Sequence, residues 1–313
     1  MRIVVLDDYQ RIASSCADWD SLGASVSFID RHLASTELVT EIQDAEVLVL
    51  MRERTPIDAT LLAQLPALRL IVTTGLRNAS IDVREALARG VTVCGTRILT
   101  RPTVEHTWAL ILGVVRHVAS EDAALRAGGW QTTVGTDLAG KTLGLMGLGR
   151  LGSRVAAIGQ AFEMETIAWS QNLDPEHASS LGVRPVTKPE LMAESDIVSL
   201  HLVSSARTHH IVGPTEIDAM RPTAYLVNTS RGPLVDTAAL VGALHAGRIA
   251  GAALDVYDTE PLPADDPLRS APRTLLTPHL GYVTRGNYDG FFREVVEDIA
   301  AWVAGTPVRV IDA

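Results

Sequence analysis

Short aliphatic runs alternate along this chain with longer stretches in which apolar residues recur every three or four positions. Residues 3–6, 26–29, 47–50, 70–73 and 91–94 are such runs and read as strands, while 36–43 and 60–64 between them carry a helical period. Alternation of this kind predicts parallel βαβ units, because strands covered by helices on both faces become continuously apolar. A long helix is predicted from Thr103 to about His117, with Trp108, Leu110, Ile111, Val114 and Val115 as its apolar positions. Pro102 suits its start, since proline presets φ and the first turn has no use for its missing N–H. The strand pattern then restarts at 142–146, 166–169, 197–200, 224–227, 252–254 and 274–276. Six strands with helical connections are the count of a dinucleotide-binding domain. A final helical segment, 287–304, places Phe291, Val295, Ile299 and Trp302 on one period and can return to pack on the first sheet. Gly128-Gly129 is the loose spot between the halves. The expected fold class is α/β, with two doubly wound parallel-sheet domains.

Composition narrows this picture modestly. A chain of 313 residues accommodates two domains, and 47% hydrophobic content with only 4% aromatics suits aliphatic parallel-sheet cores. A net charge of −10 without a Lys/Arg cluster argues against nucleic acid as a partner. Cys16 and Cys94 form neither a C-x-x-C nor a disulfide framework, and Cys94 reads as a buried small residue. The first apolar run is too short for a signal peptide and ends at Asp7-Asp8; no run is long enough to cross a membrane. A reduced, cytoplasmic compartment without a membrane partner is expected. No H-E-x-x-H or Cys/His cluster points to a metal, and no G-x-S-x-G to an acyl-enzyme.

The run 142–146 leads into Gly147-Leu148-Gly149-Arg150-Leu151-Gly152, a G-x-G-x-x-G between a strand and a helical segment. In that context each glycine has a job: a tight turn at Gly147, close approach of pyrophosphate at Gly149, and helix–strand contact at Gly152. The helix start then offers free N–H groups to phosphate. An NAD site normally carries Asp or Glu at the end of the second strand. Here Ser170-Gln171-Asn172 stands there, and no cation follows until Arg184. The sequence therefore permits NADP as well as NAD without selecting either.

Three segments follow successive strands of the second set: Asn228-Thr229-Ser230-Arg231-Gly232, the stretch from Asp255 to Glu260-Pro261, and Thr277-Pro278-His279-Leu280-Gly281. All lie at carboxyl ends of strands, where open α/β sheets bind ligands. Interconverting a 2-hydroxy and a 2-oxo acid needs a carboxylate anchor and a proton carrier beside the hydride path. Arg231 offers a fixed fork of donors to carboxylate and 2-oxygen. His279 can exchange the hydroxyl proton, and Glu260 can orient and charge-stabilise the imidazole. Taken singly, each has an ordinary explanation: a surface arginine, a loop acid, a turn histidine. Together, after a dinucleotide turn, they point to catalysis. Of the other histidines, His209 and His210 read as exposed and His201 as structural. His106, in the first turn of the long helix, has contacts that the sequence leaves open.

The segments Gly144–Gly152, Val227–Gly232, Leu254–Pro261 and Thr277–Gly281 together resemble the D-isomer-specific 2-hydroxyacid dehydrogenases, a family that includes phosphoglycerate dehydrogenase, glyoxylate/hydroxypyruvate reductase and D-lactate dehydrogenase. The resemblance spans nearly the whole chain. It implies a Rossmann nucleotide-binding domain at 99–284 inserted into a flavodoxin-like substrate domain at 1–98 and 285–313, with the active site in a cleft between them. It implies a homodimer, an NAD or NADP cofactor and a small 2-oxo/2-hydroxy acid substrate. Arg231, Glu260 and His279 match the family's catalytic trio. The cofactor positions it implies are Gly147, Gly149, Arg150, Leu151, Gly152, Ser170, Gln171, Val203, Thr229, Asp255, His279 and Gly281. Asp255 matches an acid near the nicotinamide carboxamide, and Val203 replaces a proline common near the adenosine. The run from Gly75 to Asp82 matches the family's substrate loop, whose backbone N–H groups meet carboxylate, so Gly75, Leu76 and Arg77 join Arg231 as substrate positions. Arg77 stands where the family usually has glycine; it either adds a cation to the pocket or points to solvent. Arg52 falls where some relatives contact substrate, with a solvent-facing position as the alternative. Formate dehydrogenases of the superfamily typically carry Gln where Glu260 stands, which disfavours that activity. Some relatives are nicotinamide-sensing corepressors, a second reading that the trio alone does not exclude.

Overall fold

A computed structural model describes residues 1–312. The chain divides into two compact units, one built from residues 1–99 and 283–313 and the other from 100–282. The second unit is thus an insertion in the first.

The first unit is built on five parallel strands: β1 (Arg2–Val5), β2 (Ser25–Phe28), β3 (Val47–Leu50), β4 (Leu70–Thr73) and β5 (Thr92–Gly95). Their order is β2-β1-β3-β4-β5, the flavodoxin-like order. Val47–Leu50 and Leu70–Thr73 are buried at every position, as strands covered on both faces must be. The helix Arg285–Val303 belongs to this unit and starts at a Thr284 cap that accepts from the Asn287 N–H. Tyr288, Phe291, Phe292, Val295 and Ile299 lie on one face and are fully buried. Burying each such side chain contributes roughly 1.5–3 kcal/mol, which fastens the C-terminal segment to this core. Cys94 is buried in β5, and that burial pushes its thiol up to about 12, so it is chemically quiet.

The second unit carries a sheet of seven parallel strands: β6 (Thr142–Met146), β7 (Glu165–Trp169), β8 (Arg184–Pro185), β9 (Ile197–Leu200), β10 (Tyr225–Asn228), β11 (Gly251–Leu254) and β12 (Thr274–Leu276). The order β12-β11-β10-β9-β6-β7-β8 is a Rossmann sheet with one strand added beyond six. The direction of winding reverses between β6 and β9, the position where such sheets open a crevice for ligands. The helix Arg101–Val115 packs on this unit through Val104, Trp108, Ile111, Val114 and Val115, and Trp108 stacks on Phe162 at 5.0 Å.

The apolar runs locate every strand they predict to within one residue at each end. The expected count of six in the second sheet needs correction to seven. β8 is two residues long, with an exposed arginine and a proline, and leaves no apolar run to read. A helix at Val118–Arg126 also went unforeseen. It buries none of its residues, so it carries no stripe. Within it Val118 and Leu125 are each 56% exposed, and beyond it Trp130 is 75% and Val134 93% exposed.

Candidate active site

The glycine turn is shaped as its three roles require. Gly147 has φ +105, and a Cβ there would sit 2.6 Å from the His201 carbonyl oxygen. A Cβ at Gly152 would overlap the Gly147 carbonyl, so the helix Gly152–Ala161 starts tight against the turn. At Gly149 a Cβ would meet nothing within 4 Å, so the backbone there is open to an approaching group. The N–H groups of Gly149, Arg150 and Leu151 have no hydrogen-bond acceptor among the described residues. Free amides, a helix N-terminus and open space form a cradle that fits a pyrophosphate. His201 beside the turn bonds Ser199 Oγ through Nε2 at 3.0 Å. Desolvation brings its pKa down to about 4, so it stays neutral and structural. Ser170 and exposed Gln171 follow β7, with no carboxylate at the ribose position. Val203, beyond β9, is 78% exposed.

The three candidate catalytic residues follow β10, β11 and β12, which are neighbours in the sheet. After β10, buried Asn228 clamps the turn: its Nδ2 donates to the Arg231 carbonyl at 2.9 Å and its Oδ1 accepts the Ser230 N–H at 3.0 Å. Arg231 Nη1 donates to the Ser230 carbonyl at 2.7 Å, folding the guanidinium over its own loop. Gly232 has to be glycine, because a Cβ would overlap the Tyr257 backbone of the neighbouring loop. Thr229 meets Thr107 hydroxyl to hydroxyl at 2.8 Å. Thr107 gives its one proton to the Thr103 carbonyl, so Thr229 is the donor of that pair.

After β11 and β12 the polar groups lock together. Glu260 Oε2 lies 2.6 Å from His279 Nδ1, and its Oε1 accepts the Tyr257 N–H at 2.9 Å. A carboxylate only accepts, so Nδ1 carries hydrogen and Nε2 is the atom left to exchange a proton. Nε2 has no hydrogen-bond partner among the described residues, and the side chain is 17% exposed. His279 sits at φ +54, a region that non-glycine residues occupy only when their surroundings hold them there. Asp255 supplies that hold. It is fully buried, its Oδ1 accepts the Leu280 N–H at 2.7 Å, and its Oδ2 accepts the Gly281 N–H at 2.8 Å. Thr277 Oγ1 donates to Oδ1 at 2.6 Å, and His106 Nε2 lies 3.1 Å from the same oxygen. Tyr257 Oη donates to the Thr277 carbonyl at 2.9 Å. Burial, and then the charges of Asp255 and Glu260, push this phenol above its ordinary range, so it remains a donor.

The remaining candidates belong to the first unit. Arg52 is not solvent-facing: its side chain is 13% exposed, its Nη1 donates to the Thr74 carbonyl at 2.8 Å, and it pairs with Glu53. Gly75 has φ +102, and a Cβ there would overlap the Arg52 guanidinium. Asn78, which carries no signal in the sequence pattern, anchors the loop: its Nδ2 donates to the Arg52 carbonyl at 2.6 Å and to Thr73 Oγ1 at 2.9 Å. The backbone N–H groups of Leu76, Arg77 and Asn78 have no acceptor among the described residues. Leu76 and Arg77 are exposed, and Arg77 has no ion pair or hydrogen bond among them. Successive unused amides form an anion-binding nest.

A Rossmann sheet, a pyrophosphate cradle and a histidine–carboxylate pair on one strand edge define an oxidoreductase that uses NAD or NADP. Residues 108–281 match the NAD binding domain described as D-isomer specific 2-hydroxyacid dehydrogenase. The chain belongs to that family. It is 40% identical over 279 residues to a glyoxylate reductase of Aeropyrum pernix, a match covering 86% of this chain and 83% of that one. It is 34% identical over 280 residues to a D-3-phosphoglycerate dehydrogenase of Archaeoglobus fulgidus, covering 88% of this chain and 53% of the relative. Among solved structures, a phosphoglycerate oxidoreductase from Vibrio cholerae O395 superposes with a TM-score of 0.93 at 37% identity, over 97% of this chain and 99% of that one. No helix among the described residues is long and apolar enough to cross a membrane.

Proposed function

We propose that this dehydrogenase reduces a small 2-oxo acid of the glyoxylate or hydroxypyruvate type, with Arg231, Glu260 and His279 as its catalytic residues. The observation that carries the reading is the 2.6 Å His279–Glu260 contact, which leaves Nε2 open on the strand edge that also bears Arg231. The nicotinamide, when bound, supplies the hydride to C2. His279 Nε2 delivers the proton to the 2-oxygen, and Glu260 stabilises the imidazolium before transfer. Arg231 holds the carboxylate and polarises the 2-oxygen. The free amides of Leu76 and Arg77 suit an anionic group of a ligand. The match to a glyoxylate reductase at 40% identity, against 34% for the phosphoglycerate dehydrogenase, supports the smaller substrate. With no acid at Ser170, NADPH is accepted alongside NADH.

The test is a screen of glyoxylate, hydroxypyruvate, pyruvate and 3-phosphohydroxypyruvate with each cofactor, following loss of reduced nicotinamide. Turnover is expected to be fastest with the first two. Binding of cofactor without reduction of any 2-oxo acid would replace this reading with a nicotinamide-sensing, corepressor-like role.

A second copy of this chain is the proposed partner. The helix Val118–Arg126 buries nothing, and Trp130 and Val134 beyond it are 75% and 93% exposed. Apolar groups gathered in one segment favour burial in an interface. Sedimentation equilibrium is expected to give the mass of a dimer, and a Trp130→Glu chain the mass of a monomer; a monomeric parent chain ends the proposal.

A further inference from the structure

We propose that His106 is a positioning residue for proton transfer, acting through Asp255 on the loop that carries His279; the inference rests on the catalytic reading above. His106 projects from the helix Arg101–Val115, and its Nε2 lies 3.0 Å from Thr277 Oγ1 and 3.1 Å from Asp255 Oδ1. Thr277 gives its only proton to Asp255 Oδ1 at 2.6 Å, so its oxygen faces His106 as an acceptor. The carboxylate is an acceptor as well. Nε2 therefore carries hydrogen and donates to both, whether or not Nδ1 is protonated as well.

The same carboxylate holds the backbone behind the proton carrier. Its two oxygens accept the N–H groups of Leu280 and Gly281, the two residues that follow His279. Gly281 is packed so closely that a Cβ would stand 3.1 Å from Asp255 Oδ2. Asp255 has no solvent to turn toward, so its orientation is set by its donors. With the His106 donor gone, Oδ1 keeps only Thr277 and the Leu280 amide, and the carboxylate can rotate away from the amides it grips. His279, held at φ +54, then loses part of what keeps its imbalanced backbone in place. His106 itself is hydrogen-bonded to none of Arg231, Glu260 and His279. Its effect is therefore expected chiefly in the rate of the proton-transfer step, with only a small change in cofactor binding through Asp255.

Two substitutions separate donor from packing. His106→Phe keeps a ring and removes the donor, whereas His106→Gln loses the ring and returns an N–H near the Nε2 position. In the full chain, Phe is expected to lower kcat about tenfold, because small displacements of a reacting group carry penalties of that order, with KM and cofactor Kd within about threefold. Gln is expected to restore kcat to within about threefold of the parent. In the cofactor-free protein, the Leu280 and Gly281 amides are expected to exchange hydrogen about fivefold faster in the Phe variant only. Should the Phe variant not fold, Thr277→Val removes the same junction from the other side, with the same loss in kcat alone as the expected result. Equal damage from Phe and Gln, a loss in KM or Kd instead of kcat, or an unaffected Phe or Val variant each overturns the proposal. Failure of the parent chain to reduce any 2-oxo acid would instead remove the catalytic reading on which it rests.

Discussion

The loop at residues 277–281 and the loop at residues 75–78 both follow parallel strands at carboxyl ends, yet they are built in opposite ways. In the first, Asp255 takes the Leu280 and Gly281 amides, Tyr257 takes the Thr277 carbonyl, and Glu260 takes His279 Nδ1. One ring nitrogen is left over. In the second, Asn78 and Gly75 are fastened from beneath, while the amides of Leu76, Arg77 and Asn78 are left unbonded and two side chains stand in solvent. A proton carrier has to present one atom at one place, so its loop is tied from several directions. A recognition loop has to keep its donors unused until a ligand arrives. On the proposed reading, the rigid loop carries the chemistry and the open one the selectivity.

The comparison can be broken at either end. His279→Ala removes the one exchangeable nitrogen, and kcat for the best 2-oxo acid is expected to fall roughly 10²–10⁴-fold while cofactor still binds. Steady-state rates with a fluorescence titration of cofactor check both parts; turnover within about tenfold of the parent would take the proton-transfer role from this loop. Arg77→Gly probes the open loop. An exposed cation adds at most about fivefold to binding of a charged substrate. Glyoxylate is therefore expected to keep its kcat/KM, while an oxo acid with a second anionic group loses up to about that factor. A loss above about tenfold with glyoxylate itself would mean the second loop is as tightly specified as the first.

The sequence reveals most of this architecture for a physical reason. Strands such as Val47–Leu50 and Ile197–Leu200 are buried throughout, so burial writes itself as an aliphatic run. Where burial is absent the signal is absent too, as with β8 and the helix Val118–Arg126. Arg231, Glu260 and His279 stand out because their chemistry and their strand-end positions coincide. His106 did not, although its position on the long helix was plain. Its contacts with Asp255 and Thr277 span 149 and 171 residues, and only the folded sheet edge brings them together. Asn78 is hidden in the same way: its partner Arg52 lies 26 residues away on another strand end.

The two-residue strand β8 has a consequence for life in a crowded solution. It forms one rim of the seven-stranded sheet, and a rim is where a foreign strand can add itself. Here the rim offers the backbone of one arginine and one proline, and the proline has no N–H to give. A newcomer would find almost no ladder to continue and a charged side chain at the door. The same brevity that hides β8 from inspection guards that side of the sheet against runaway self-association.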